Sequence, residues 1–305
     1  MSLVDADGHV SPWPVVYGYR FARDAAQRRA YLPDRASRCS LRLFAPGEPY
    51  RLLGLFATRV HLFGAGDAGG SEPPRVHLLG TDYRGRDIFS RLVHGARISL
   101  TIGVLGVVVA FTVGMIVGGV SGFAGGAVDG AIQRLCEVLM MLPGFYVLLA
   151  IRGALPDTTR WSSTQLYCTV VLLVSSLYWA SLARAIRGQV LSLREREFVT
   201  AARALGVTPW RIITRHLLPN TVSYAVVAAT ISIPGYILME SGLSMLGLGI
   251  QEPEASWGNM LADAMHIAEI AEHPWVLAPG VLICVAITAF NVMGDGLRDA
   301  FDPRG

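Results

Sequence analysis

Five long apolar stretches separated by polar connections occupy this chain from residue 98 onward. Ile98–Ser121 and Leu166–Ala183 are free of charge, and Trp275–Met293 is uncharged with Pro279 near its start. Ala131–Ile151 carries Arg134 and Glu137 at its beginning, and Thr221–Ile250 encloses Pro234 and Glu240. A helix needs about 20 apolar residues to cross a bilayer core, so five spans are predicted. The apolar piece at Leu52–Phe56 is too short to cross. Just ahead of the first span, Ile88, Phe89, Leu92, Val93 and Ala96 recur at helical spacing on one face. Asp82 and Asp87 suit the start of such a helix by charge. An amphipathic helix over 78–97, lying at the membrane interface and leading into the first span, follows from this pattern.

The polar connection between the third and fourth spans has a pattern of its own. Phe198 to Leu205 is rich in helix formers, and Gly206 suits the left-handed position that ends such a helix. Thr208 is placed to cap a second helix with Pro209 at its first position. Pro219 either disrupts that helix or marks a joint into the next segment. Two short helices around a glycine turn, rich in arginine, also suit a DNA-binding unit. The flanking spans argue against that reading, because a helix tethered to the membrane at both ends cannot readily enter a major groove. A plain charged loop would need neither the rigid turn nor the small Ala201 and Ala202. The pattern suits a docking knob that passes mechanical force.

Composition agrees with a membrane protein. The 305 residues are 52% hydrophobic and 16% charged, with a mean hydropathy of +0.44, whereas soluble domains carry about 25% charged residues. The net charge of +3 is carried by arginine without a single lysine. A phosphate-binding GxxxxGK[ST] loop is therefore excluded, and neither HExxH nor GxSxG occurs. The seven histidines are scattered. Cys39, Cys136, Cys168 and Cys284 show no metal-ligand spacing, and three of them lie in or beside apolar runs.

Arginine placement orients the spans. Arg184, Arg187, Arg194, Arg196, Arg203, Arg211 and Arg215 lie between the third and fourth spans, whereas Gln251 to Pro274 is acidic and has none. The basic loop and the C-terminus are thus expected in the cytoplasm, and residues 1–97 outside. Seven arginines between Arg20 and Arg42 oppose spontaneous export of that segment. The charge argument therefore predicts a further apolar helix of about 20 residues ahead of Met1.

Several motifs then converge. TAARALG followed by HLLPN (Thr200–Asn220) resembles the EAA loop of ATP-binding-cassette (ABC) importer permeases, with Thr200 where the family motif has Glu. LLGTDYRGRDIFSRLVHGARISL, SGFAGGAVDGAIQRLCEVLMMLP, IPGYILMESGLSMLGLG, SWGNML and FNVMGDGLRDAFDP are similar to segments of the dipeptide/oligopeptide/nickel branch. They occur in the right order from about Pro46 to the end, and most resemble the second permease subunit type. GEPYRLLGLFATRVHLFG (Gly47–Gly64) resembles a long external segment seen in some members.

The resemblance implies an all-α polytopic membrane protein with the type I ABC importer transmembrane domain. Residues 1–97 would form an external segment and 98–305 the permease domain, with a cytoplasmic coupling loop at about 184–219. In that loop Thr200, Ala201, Ala202, Gly206 and Pro219 would meet the ATPase. Implied partners are a homologous second permease, two ATPase subunits, an extracytoplasmic substrate-binding protein and membrane lipid, with no nucleic acid. No cofactor is expected on this chain; ATP and Mg would sit on the ATPases. Peptides are the implied cargo, with nickel or another small solute as the alternative.

Glu240 is costly at mid-membrane and should face protein or a watery cavity. It either lines the translocation pathway, with Pro234 loosening the same helix, or bonds a neighbouring helix. The amphipathic helix is either a binding-protein contact or an interfacial anchor. Gly114, Gly118, Gly119 and Gly122 permit close helix packing. Rival readings are a membrane-embedded enzyme using Glu240 with Asp263 or His266, and a constitutive channel.

Overall fold

The computed structural model describes residues 2–4, 10–23, 29–52, 56–65, 77–82, 84–155, 161–265, 270 and 273–301. The chain divides into two compact units, residues 1–78 and 79–305. The first is an antiparallel meander of β1 (Ser2–Val4), β2 (Val10–Arg23), β3 (Arg29–Leu52) and β4 (Phe56–Ala65). The long β3 serves both neighbours in turn: Ser40 pairs with Val15 of β2, and Leu41 begins the ladder with Ala65 of β4. These strands were not anticipated from sequence.

The second unit is helical. α1 (Ile88–Ala124) is one uninterrupted helix of 37 residues, about 55 Å long. It merges the expected interfacial helix with the first span, since no glycine pair or proline interrupts the chain around residues 97 and 98. Asp87 caps it by accepting from the Ser90 N–H. Asp82 instead holds the preceding turn, accepting from the N–H groups of Arg84 and Arg86 at 2.9 Å each.

The expected straight span over 131–151 needs correction. The chain forms α2 (Gly126–Met141) and α3 (Gly144–Ala154), bent by 89°. Pro143 lacks the N–H that would continue α2 and holds Leu142 extended, which breaks the helix there. α4 (Ser163–Leu193) starts at a reciprocal Ser162–Gln165 capping box. α5 (Glu197–Ala204) and α6 (Pro209–Ile212) follow. A π turn (Ile213–Leu217) and a 3₁₀ turn (Leu218–Thr221) lead into α7 (Val222–Met245). α8 (Trp257–Asp263) and α9 (Ala278–Phe301) complete the unit.

Glycines set how these helices cross. A Cβ on Gly114, Gly118 or Gly122 of α1 would come within 2.9, 2.4 or 2.8 Å of the carbonyl oxygens of Trp179, Ala183 and Arg187 on α4. Both sets are spaced by four and rise together, so α1 and α4 run parallel. Gly106 lies under Tyr236 and Gly119 under Leu218, which makes α7 antiparallel to α1. The bent pair α2–α3 must then return the chain across the unit once. α9 meets α7 at Gly294 and Ile231 and ends at the end of the bundle that holds α5 and α6.

Replacing Gly118 by Val should force α1 off α4 at a cost of about 1–3 kcal/mol. Among the described residues nothing lies within 4 Å of a would-be Cβ on Gly188. Gly188→Ala should therefore be neutral or stabilising by up to about 1 kcal/mol. Melting temperatures of the two purified variants would test the contrast; equal values would disprove the seam.

Candidate functional site

The α5–α6 loop is a knob with a buried base. Val199 and Ala202, one turn apart, face inward with Ile212, Ile213 and Leu217, all at most 6% exposed. They pack on Leu182, Ile186 and Val190 of α4, with Phe123 of α1 at the edge. The opposite face is apolar and open: Leu205 is 83% exposed, Trp210 55% and Phe198 41%. Gly206 turns the chain between the helices at φ +72°, as its place in sequence predicted, and among the described residues no atom lies near its would-be Cβ.

Two expectations are corrected here. Ala201 is exposed but Ala202 is buried, so the small pair does not share an outer face. On an eight-residue helix, Ala202 falls one turn after Val199 and follows it into the core. Thr208 has the extended backbone of an N-cap but makes no side-chain capping bond. Thr200 is exposed and Pro219 sits, also exposed, in the 3₁₀ turn without ending the path into α7.

The loop end of the bundle is also tied by polar contacts that sequence reading missed. Asp129 accepts from Arg187 Nε at 3.0 Å and Nη2 at 2.5 Å, and from Ser121 Oγ at 2.5 Å. Arg194 Nη1 donates to the Gly122 carbonyl at 3.0 Å. The available signal was charge close to apolar runs, at positions far apart in sequence. Arg134 and Glu137 pair at 3.1 Å, and Arg184 approaches Glu137 at 3.4 Å.

Towards the other end, Glu240 is fully buried and surrounded by serines. Ser244 Oγ donates to Oε1 at 2.7 Å, and Ser99 Oγ and Ser241 Oγ donate to Oε2 at 3.1 and 3.4 Å. Ser99 also accepts the Trp257 N–H at 3.1 Å, and Ser244 accepts the Ile250 N–H at 2.9 Å. With a lone pair of each hydroxyl occupied by a backbone donor, its proton is directed at the carboxyl. Glu240 therefore ties α1, α7 and the segment entering α8. Pro234 lies buried within a continuous α7. Gly258 fits beside the Ser241 backbone, and Gly95 beside Ser256, so α8 lies tight on α7 and α1.

Beyond this cage lies an ionic cluster. Arg86 Nε meets Asp82 at 2.6 Å and also bonds Glu252; Arg84 meets Glu252 at 2.5 Å; Arg91 lies 3.5 Å from Glu252. Arg86 Nη2 is 3.6 Å from Asp263. Burial opposes ionisation of Glu252, but the Arg86 hydrogen bond and the fields of Arg86, Arg84 and Arg91 hold its carboxyl below the ordinary range. Burial pushes Asp263 the other way, against the opposing field of Arg86. His266, one partner in the rival enzyme reading, lies outside the described residues, and Asp263 faces Arg86.

Long apolar helices packed around a few buried polar clusters, with a compact knob at one end, are the architecture of a polytopic membrane protein. The chain belongs to the binding-protein-dependent transport system inner membrane component family, whose profile matches residues 89–304. It is 42% identical over 235 residues to a putative peptide permease protein of Brucella suis, covering 77% of this chain and 75% of that one. It is 41% identical over 230 residues to the oligopeptide transport system permease protein OppC of Haemophilus influenzae, covering 75% and 70%. The fold is shared with a chain of the MetNI methionine ABC transporter in an inward-facing conformation. There the TM-score is 0.52 and the identity 20%, over 70% of this chain and 98% of that one. The protein is thus a multi-pass membrane permease of an ABC importer, and ATP hydrolysis belongs to separate subunits.

Two predictions follow from these contacts. In Glu240→Gln, an amide N–H would face a serine hydroxyl that already accepts a backbone donor, costing about 1–3 kcal/mol. The purified protein should melt lower; an unchanged melting temperature with reduced uptake would mark a pathway residue instead. A depressed carboxyl such as Glu252 stabilises above its unfolded pKa, and that contribution is lost as pH falls through the folded value. Raised Asp263 has the opposite sign, favouring the folded state when protonated. Glu252→Gln should therefore melt below wild type near pH 7, by up to about 1 kcal/mol given its exposure. The gap should close below about pH 4, and a constant gap would contradict the ionic assignment.

Proposed function

We propose that this chain is one of two homologous permease subunits in an ATP-driven peptide importer. Its α5–α6 loop is the part that the ATPase grips. The observation that carries the reading is the knob itself: Leu205 and Trp210 open to solvent around the Gly206 turn, on a fully packed base. An apolar surface this exposed on a rigid mount suits a cleft in a partner. Phe198, Ala201, Leu205, Gly206 and Trp210 form the contact face, while Ala202 sets its height from beneath. Thr200 contributes no carboxylate, so docking is chiefly apolar.

The arginines of α4 to α6 support a cytoplasmic position for this end, and with it for the end of α9. Two ATPase subunits bind there and hold ATP and Mg. The substrate-binding protein delivers cargo at the opposite side, where α1 begins. Peptide cargo is supported by the names of the relatives at about 40% identity. Glu240, without exposed surface, serves as a fastening for α8, and Pro234 as a packed position in the same helix.

Gly206→Val should strain the turn by about 1–2 kcal/mol, because a β-branched residue is disfavoured at positive φ. With nothing near that Cβ, insertion should persist while uptake falls at least tenfold. Leu205→Glu should weaken retention of the ATPase on purification. Normal uptake and ATPase retention in both variants, reconstituted with the binding protein, would refute the docking face.

A further inference from the structure

We propose that α1 is the rod through which the coupling loop moves the far end of the subunit. Asp129, Arg187 and Arg194 act as positioning residues that lock the loop to it. The proposal rests on the docking role of the α5–α6 loop but goes beyond it, since α1 is not one of the two helices that the loop connects.

The lock is built from four contacts at one corner. Gly125 and Gly126, at φ +66° and +54°, fold α2 back sharply from the end of α1. This turn brings Asp129 against Arg187, where the carboxylate is shared with Ser121 of α1. At the same residue of α4, Gly122 leaves room for the Arg187 carbonyl. Arg194, at the exit from α4 into the loop, donates to the Gly122 carbonyl. Arg203 of α5 stacks over the Phe123 ring, with its guanidinium carbon 4.8 Å from the centroid. The loop is thus fixed to α1 from two sides, and the SGFAGGAVDG motif supplies the α1 and α2 partners.

The far end of the same helix is held as firmly. Ser99 bonds Glu240 and receives the Trp257 N–H, and the Trp257 indole donates to the Leu92 carbonyl at 3.1 Å. An unbroken helix joins the two sets of contacts, with no proline between Ile88 and Ala124. Displacement of the loop therefore reaches α8 along α1 as well as through α7. The two states that bias the rod are the ATP-bound and ATP-free forms of the partner motor.

The test uses the full transporter in proteoliposomes, with both ATPases and the binding protein present. Three variants probe the route: Arg194→Ala combined with Phe123→Ala, Asp129→Asn, and Val104→Gly combined with Val108→Gly. The last pair softens the rod at exposed positions and touches neither end. Movement is read by labelling a cysteine at exposed Leu246, after Cys168 and Cys284 are replaced by Ser. ATP should change the labelling rate severalfold in the parent and by less than twofold in each variant. ATPase retention should persist, while uptake per ATP hydrolysed falls at least tenfold. A parent-like ATP response in all variants that retain the ATPase would overturn the rod. If one variant fails to assemble, the other two decide. Failure of the docking reading is separate, because it would appear as ATPase retained normally by Leu205→Glu.

Discussion

The close approach of α1 to α4 is the constraint on which the rest of the second unit depends. Three glycines spaced by four meet three carbonyls spaced by four, backbone against backbone. In lipid, where apolar burial offers little drive for helix association, such contact is what holds helices together. The parallel sense of that pair requires a return crossing between them, and the bent α2–α3 segment supplies it. α7 can then lie antiparallel over Gly103 and Gly106, and the α5–α6 loop is left packed across the end of the pair.

Polar groups inside the unit are handled by two different means. At the loop end, Asp129 and Arg187 satisfy each other with two hydrogen bonds, and Ser121 fills a further acceptor position. Around Glu240 no basic side chain bonds the carboxyl among the described residues, and hydroxyl groups do the work instead. Ser99 also accepts the N–H of Trp257, the first residue of α8, and Ser244 that of Ile250 between α7 and α8. The buried carboxyl thereby organises irregular backbone that would otherwise lack partners.

Much of this was legible in the sequence, because the signals involved are local. Length and hydropathy marked the crossings, Gly206 marked the left-handed turn, and the spacing of Gly114, Gly118 and Gly122 marked a close helix contact. What stayed hidden depends on distant residues. Asp129 and Arg187 are 58 positions apart, and Ser99 is 141 from Glu240; no periodicity links either pair. The inward turn of Ala202 was hidden by a helix too short to show a full apolar stripe. The bend at Pro143 had a clear local signal, but a continuous apolar run outweighed it. In residues 1–65 the dipeptide Asp7-Gly8 is a hairpin signal, but Pro12, Pro14, Pro33 and Pro46 within the strands argue against a sheet.

The glycine seam also determines which motions this subunit resists. A slip of less than one turn would press α4 carbonyls against Met115, Ile116 or Val117, which carry side chains where the glycines have none. The seam therefore works like a keyed shaft. It carries thrust along its length and resists creeping, and no side chain within it can swing aside to release it. Tilting, with the two helices pivoting as one body, keeps every backbone contact intact and meets the least resistance.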